Sequence, residues 1–334
     1  MFTRKLEAQL RYQAVPHRWR FKTLERGPEL ETRAQTRFIP LLETPDGWLL
    51  HDTIALGPML DARFRAVPVI PTTPAQRGAC FVLEDFFNHW FPRHALHARW
   101  CHPRDVASAG RGFAANLILD QSQDVPLTAA QRSEFAGFGQ TMVDTFGASA
   151  CEVQGAGPDQ AAAIKADFDR IVDLLGVHFR HHPFLLGGRA CLADFIVVGT
   201  FVAHFLRDPE PRSWLGTRAA ALEAYVDRVW TADNDGAWLE GDALPGSLQP
   251  LFSHARDHYQ RFAQASIEAA ARGDRTFELD LGHGPFVARS MRRLEKARLH
   301  VRDELARCGA ADTALAASGA LAFYAPPPML LPRR

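Results

Sequence analysis

The apolar residues of this chain change their spacing after a proline-rich stretch at residues 68–74, which holds three prolines and two threonines. Beyond this stretch, five segments carry apolar residues at helical spacing, and short polar turns join them. They are residues 81–100, 129–146, 159–179, 192–206 and 218–230. Helices of this length and connection predict a helical bundle, and the prolines predict an interdomain linker.

The part before the linker has a different pattern. Phe2, Leu6 and Leu10 recur at helical spacing, and residues 17–21 alternate polar and aromatic side chains as a half-buried strand does. Two short apolar runs, 38–42 and 48–50, flank a turn sequence and predict a hairpin. The order helix, strand, hairpin, helix predicts an α/β domain over residues 1–67, followed by the linker at 68–74.

The pattern after the bundle predicts further units. Residues 251–271 have helical spacing, 276–281 alternate as a strand does, and 286–308 form an arginine-rich helical segment. The prediction is therefore a helical domain over 75–250 and a C-terminal extension over 251–310 that packs on it. A disordered tail is expected at 311–334.

The balance of charges and the number of cysteines limit which partners the chain can bind and in which compartment it can work. Lysine plus arginine and aspartate plus glutamate each total 38, so no net field draws the chain to nucleic acid or to a membrane surface. The five cysteines form no Cys-x-x-Cys pair, which argues against a disulfide framework and fits a reducing compartment. The longest apolar stretch, 195–206, is too short to cross a bilayer. We therefore expect a cytoplasmic protein.

Ile39 and Pro40 form the first motif with chemical meaning. Proline cannot donate to a strand ladder, and a cis bond before it would turn the chain sharply. The backbone N–H and C=O of Ile39 would then be free to pair with an extended peptide ligand. For an isolated dipeptide, an edge-strand proline without function is the alternative.

Asp52 and Thr53 form the second motif, at the expected start of a helix. A helix N-terminus attracts a carboxylate, the Thr53 hydroxyl adds a donor, and Asp52 can accept from an ammonium group. Together they suit an α-amino acid head group. A simple N-cap is the alternative.

In order and spacing, residues 2–6 (FTRKL), 39–42 (IPLL) and 48–53 (WLLHDT) resemble the N-terminal domain of the glutathione transferases. Residues 186–195 (LGGRACLADF) are similar to the segment that opens the buried core helix of that family. The likeness covers roughly residues 1–235, and residues 251–281 resemble the C-terminal extension of a bacterial branch.

The resemblance implies a thioredoxin-like N-terminal domain, lacking its first strand, followed by a helical bundle of the glutathione transferase type. It implies glutathione as co-substrate, which Ile39 and Pro40 would contact at the cysteinyl backbone. Asp52 and Thr53 would hold the γ-glutamyl group. The second partner would be a small hydrophobic electrophile, which is conjugated to glutathione or reduced by it. The family commonly forms dimers, and a homodimer is one expectation.

The family places a catalytic Tyr, Ser or Cys on a loop before the first helix, whereas this sequence starts at that helix. Thr3 is the nearest hydroxyl, either as a helper of the thiol or as a helix N-cap, and the catalytic residue stays unassigned. The missing loop and Pro58, inside the helix that starts at Asp52, favour a rival hypothesis. In it the chain is a non-catalytic interaction or scaffold protein.

The first long bundle segment carries further candidates. In the glutathione transferases this region lines the electrophile pocket, so Trp90, His94 and His97 are candidate lining residues. His94 and His97, with Cys101 and His102, also have spacings that could bring metal ligands to one helix face. The surrounding aromatic residues favour a bundle wall instead, so no metal is expected.

Overall fold

The computed structural model describes residues 1–231 and 236–331, and its N-terminal region is built from three helices and one hairpin. These are α1 (Phe2–Tyr12), α2 (Gly27–Ala34), β1 (Leu41–Glu43), β2 (Leu49–His51) and α3 (Thr53–Arg63). The predicted hairpin is confirmed: β1 pairs antiparallel with β2, and Leu42 lies opposite Leu50. α3 continues through Pro58, and the Gln9 side chain donates to the Gly57 carbonyl at 2.9 Å.

The prediction of a thioredoxin-like α/β domain is wrong. The only sheets in the described part of the chain are two separate two-stranded hairpins, and helices make up most of the rest. Residues 17–21 form no strand. Their aromatic side chains are held locally, because Trp19 lies against Phe21 at 6.2 Å between ring centroids and under the Arg4 guanidinium at 4.7 Å. The alternation reflects these contacts rather than pairing with a strand.

Helices make up most of residues 74–231, within the region where a helical domain over 75–250 was predicted. These α-helices are α4 (Pro74–Cys101), α5 (Pro103–Leu117), α6 (Ala129–Glu134), α7 (Phe138–Met142), α8 (Ala148–Gln154), α9 (Ala161–Phe179), α10 (Leu192–Thr200), α11 (Pro209–Leu215) and α12 (Ala219–Thr231). All nine residues of α10 are buried, and this helix packs between α1 and α4. Helix α5 lies in a part of the sequence where no helix was predicted.

The region that follows contains α13 (Gln249–His254), a π-helical segment (Ala255–Gln260), α14 (Arg261–Arg272) and α15 (Arg292–Cys308). Between α14 and α15 lies the second hairpin, β3 (Thr276–Asp280) and β4 (Pro285–Arg289), with Leu279 opposite Phe286. None of the described helices is long and apolar enough to cross a membrane.

Residues from the last part of the chain complete the main core. Leu315, Ala320 and Tyr324 are buried in the same apolar cluster as residues of α4 and α10. The Tyr259 and Tyr324 hydroxyls both donate to Asp85 Oδ2 on α4, each at 2.8 Å. This arrangement differs from the disordered tail expected at 311–334, of which residues 332–334 lie outside the described residues. The other domain boundaries stay predictions.

A buried ion pair fixes the N-terminal helix on the bundle. Lys5 Nζ on α1 lies 2.6 Å from Glu84 Oε1 and 3.1 Å from Asn88 Oδ1, both on α4. The Lys5 and Glu84 side chains are almost fully buried. Separating such a pair would leave a charge without compensation in the interior, so it strongly specifies how α1 docks.

Candidate functional site

The structure places Ile39 on the surface and the next residue, Pro40, in a buried position, immediately before β1. The peptide bond between them is cis, and Ile39 is 54 % exposed. The backbone N–H and C=O of Ile39 make no hydrogen bond to the rest of the described chain. A backbone edge of this kind can accept an extended peptide. We call residues 37–40 with 52–53 the ledge.

Asp52 is the N-cap of α3, as predicted, because its Oδ1 accepts from the Ile54 N–H at 3.1 Å. Its Oδ2 faces outward and lies 3.6 Å from Lys296 Nζ on α15. Thr53, beside it, is buried. Of the two carboxylate oxygens, one therefore serves the helix, and the other meets a cationic side chain from a distant part of the sequence.

A cleft of about 660 Å³ adjoins the ledge. Its wall combines the end of α2 with a π-helical segment (Val143–Gly147) of the bundle. The lining residues are Glu31, Gln35, Thr36, Arg37, Phe38, Thr145 and Phe146. This volume lies within the range of about 300–1,000 Å³ usual for small-ligand sites. We call it the Phe38 cleft.

Thr3 lies in the first turn of α1, and Met1 rather than Thr3 is the N-cap of that helix. The N-cap alternative for Thr3 is therefore wrong. Among the described residues, no hydrogen bond joins Thr3 to Ile39, Asp52 or Thr53.

A second group of polar side chains is buried inside the bundle around Asp167 of α9. Trp90 Nε1 donates to Asp167 Oδ2 at 2.8 Å, and His94 Nε2 lies 2.6 Å from the same oxygen. His254 Nε2 lies 2.8 Å from the other oxygen, Oδ1. We call Trp90, His94, Asp167, His254 and His258 the Asp167 centre.

His254 and His258 enter this centre from one stretch of helix. His254 ends α13 and His258 follows one turn later in the π-helical segment, so their rings stack with centroids 4.1 Å apart. π-helical turns are rare and often occur at functional sites. Nδ1 of His258 lies 3.2 Å from the His254 carbonyl oxygen, which leaves Nε2 as the free ring nitrogen.

The charges of the centre follow from burial and hydrogen bonding. Burial alone would raise the pKa of Asp167, but the adjacent His254 and His94 rings outweigh it and hold that pKa well below its usual range. Burial lowers the pKa of His258, and electrostatic repulsion from the neighbouring His254 lowers it further. Asp167 is therefore a carboxylate at neutral pH, beside a His258 whose ring favours the neutral form.

A small cavity opens on the Asp167 centre. Its volume is about 20 Å³, room for one or two water molecules, since one needs roughly 10–15 Å³. Residues on its wall are Trp90, Arg93, Gln160, Ala163, Asp167, His258, Leu281, His283, Gly284 and Phe286. The structure thus brings Trp90 and His94 together, but beside a cavity too small for the hydrophobic electrophile that they were expected to line.

His97, the third predicted lining residue, lies outside the Asp167 centre. Its Nδ1 lies 3.1 Å from the Ala156 carbonyl, and the Cys101 thiol donates to the same oxygen at 3.5 Å. A hydrogen bond from the Cys151 thiol, aided by His97, lowers the pKa of Cys101 against the opposing effect of burial. Hence His97 belongs to a thiol cluster with Cys101, and it takes no part in the Asp167 centre.

Sequence reasoning missed Asp167, His254 and His258. The spacing of the two histidines, four residues apart in a helical segment, was a usable signal, because such residues share one helix face. Asp167 carried none, since its neighbours in sequence show only ordinary helical spacing.

Comparisons of the chain with protein-family models, with curated proteins and with solved structures found no match. The resemblance to glutathione transferases therefore rests on the residues named above, and it stays a prediction.

Proposed function

We propose that this chain binds glutathione along the ledge, with the γ-glutamyl end at Asp52 and the thiol directed to the Phe38 cleft. The resemblance of residues 39–42 and 48–53 to the glutathione transferases supplies the identity of the ligand. The observation that carries the proposal is the Ile39 backbone, which is unpaired within the described chain and belongs to an exposed residue beside a ligand-sized cleft.

Each end of the tripeptide has a complementary group on the ledge. Asp52 Oδ2 accepts from the α-ammonium of the γ-glutamyl group, while Oδ1 continues to cap α3. The Ile39 N–H and C=O pair with the cysteinyl backbone, as strand addition does at a free edge. Arg37, on the wall of the cleft, suits the glycyl carboxylate, because a guanidinium matches a carboxylate in geometry and charge.

Phe38 and Phe146 give the cleft an apolar wall, 77 % and 48 % exposed respectively. A small hydrophobic electrophile fits this surface next to the glutathione sulfur. In the transfer, the thiolate forms a carbon–sulfur bond, the leaving group departs with the bonding electron pair, and the thiol proton passes to solvent. No side chain of this chain is assigned to activate the thiol.

The test is calorimetric titration of the full chain with reduced glutathione. Asp52→Asn keeps an acceptor for the cap but removes the charge that faces the ammonium, so we expect affinity to fall about tenfold or more. Asp46→Asn is the matched control, an aspartate in the hairpin turn, and should leave affinity unchanged. Absence of wild-type binding, or equal loss in both variants, would refute the proposal. Conjugation of a chromogenic aryl halide is assayed separately.

A second candidate function is docking of a protein partner on the same ledge without catalysis. Phe38 and Ile39, which are adjacent on the ledge, are 77 % and 54 % exposed, and neighbouring large apolar side chains on a surface mark interaction sites. If the chain fails to bind glutathione, a partner captured by wild type but not by a Phe38→Ser variant would favour this function.

A further inference from the structure

Two buried polar atoms in the Asp167 centre approach each other without forming a hydrogen bond. Asp167 Oδ1 and His254 Nε2 are 2.8 Å apart, yet neither has a hydrogen-bond partner within the described chain. The two residues are 8 % and 7 % exposed. With a neutral His254 ring the two buried atoms are left without a partner, which is unfavourable, and a cation bound between them would satisfy both.

We propose that Asp167, His254 and His258 bind one divalent transition-metal ion, with a water in the adjoining cavity as a further ligand. The ligand atoms of these three residues all lie within 4.8 Å of one another. This proposal is independent of glutathione binding, because none of its residues belongs to the ledge.

The distances suit an ion after a small movement. Donors at about 2.0–2.1 Å from a tetrahedral Zn²⁺ lie roughly 3.3 Å from each other. Oδ1 and Nε2 therefore need to separate by about half an ångström. An ion between Asp167 Oδ1 and His254 Nε2 would be coordinated by both atoms, and His258 Nε2 would be its third protein ligand.

The surrounding groups hold these donors in place. Trp90 and His94 both bond to Asp167 Oδ2, which leaves Oδ1 as the free oxygen. The His254 carbonyl lies against His258 Nδ1, so a proton there keeps Nε2 bare. Metal-ligating carboxylates and histidines are usually oriented by such outer hydrogen bonds.

The donor set selects the class of ion. Two imidazoles and one carboxylate suit Zn²⁺, Fe²⁺ or Co²⁺, whereas Mg²⁺ and Ca²⁺ prefer oxygen donors throughout. The cavity of about 20 Å³ holds a water but no organic substrate. The ion would thus have a structural role, joining α9 to the helical segment that carries His254 and His258.

The experiment is Co²⁺ and Zn²⁺ titration of the chelator-treated full chain. We expect one ion per chain and visible Co²⁺ bands typical of nitrogen and oxygen ligands. His258→Gln should weaken Zn²⁺ binding about 100-fold or more, and Trp90→Phe, which loses only an outer hydrogen bond, about 10-fold. His89→Gln is the matched control, a histidine on α4 paired with Asp85 outside the three-ligand set, and should bind as wild type does.

Three results would overturn the proposal. One is a wild-type chain that binds no ion. Another is His258→Gln protein, folded by circular dichroism, that binds Zn²⁺ as tightly as wild type. The third is an intense near-ultraviolet thiolate-to-Co²⁺ band abolished by Cys101→Ser, which would place the ion at the thiol cluster. If His258→Gln does not fold, the Zn²⁺ affinity of Trp90→Phe decides instead, and binding as tight as that of the wild type would overturn the proposal.

Discussion

The ledge and the Asp167 centre are built in opposite ways. Ile39, Pro40, Asp52 and Thr53 lie within fifteen residues of sequence, and their geometry comes from a hairpin and a helix cap. The Asp167 centre gathers side chains from α4, α9 and the segment around residue 256, so long-range packing alone brings it together. Local motifs create the first site, whereas the folded bundle creates the second.

This difference has an energetic consequence. A surface site made from backbone geometry tolerates loss of a side chain, because water replaces the lost contact. A buried polar cluster does not, since removing one partner leaves the others unpaired in the interior. Substitutions at the two sites should therefore differ in their effect on folding.

The largest effect is expected at the Asp167 centre. With chelator present, Asp167→Ala should lower the free energy of unfolding by about 3–5 kcal/mol, because Trp90 Nε1 and the histidines lose their buried acceptor. Urea denaturation measures it. Asp169→Ala, at the half-exposed pair with Lys165 and Arg218, should cost less than about 1 kcal/mol. Equal losses of unfolding free energy in Asp167→Ala and Asp169→Ala would show that the Asp167 centre is no more important for folding than a surface ion pair.

The next effect is at the ledge. Asp52→Ala should lower the free energy of unfolding by about 0.5–2 kcal/mol, because α3 loses its N-cap. Asp52 has φ +74°, a conformation that glycine adopts without strain, so Asp52→Gly should lose only a few tenths of a kcal/mol. Urea denaturation of both variants checks the order, and a larger loss for glycine would contradict the cap.

A smaller effect should appear as pH dependence. The folded pKa of His258 is lowered by burial and then by His254, whereas an unfolded histidine titrates near about 6.5. Below that pH the unfolded chain binds more protons, so the stability of the wild type falls as the pH falls. His258→Gln lacks this contribution. With chelator present, the wild type should therefore lose stability relative to His258→Gln as the pH is lowered from about 7.5 to about 5.5. A stability difference that stays constant over this range would contradict the lowered pKa of His258.

The smallest effect concerns Lys296, whose exposed ammonium lies 3.6 Å from Asp52 Oδ2. An ammonium from glutathione would compete for that oxygen, so Lys296→Ala should raise glutathione affinity by up to about fivefold. Its thermal unfolding should match that of the wild type, since exposed pairs add little stability. Weaker glutathione binding in this variant would show that Lys296 assists the ligand instead.

The sequence predicted the elements with local signals. Thr44 to Gly47 mark the hairpin turn, Asp52 marks the cap of α3, and the apolar spacing of residues 192–206 marks a buried helix; all three appear in the structure. The prediction of a thioredoxin-like sheet was wrong because residues 17–21 form no strand; their aromatic side chains contact each other and Arg4 instead. Alternation of side chains cannot distinguish these outcomes when no partner strand is identified.

The Asp167 centre could be predicted only in part. Trp90, His94 and His97 were chosen together as lining residues; Trp90 and His94 meet at Asp167 because they lie one turn apart on α4, whereas His97 contacts Ala156 instead. Asp167 and His254 are 87 positions apart in the numbering, and no periodicity within either segment encodes their contact. Their juxtaposition depends on how helices pack, which a single sequence does not reveal.

The pairing of Tyr259 and Tyr324 with Asp85 also bears on the order of events during synthesis. α4 leaves the ribosome long before residue 324, so Asp85 Oδ2 first exists without its tyrosine donors. Until then its only ion-pair partner among the described residues is His89, one turn along α4, and a carboxylate short of hydrogen bonds resists burial, so we expect this face of α4 to stay hydrated until the tyrosines arrive. We therefore expect closure of the core to follow synthesis of nearly the whole described chain.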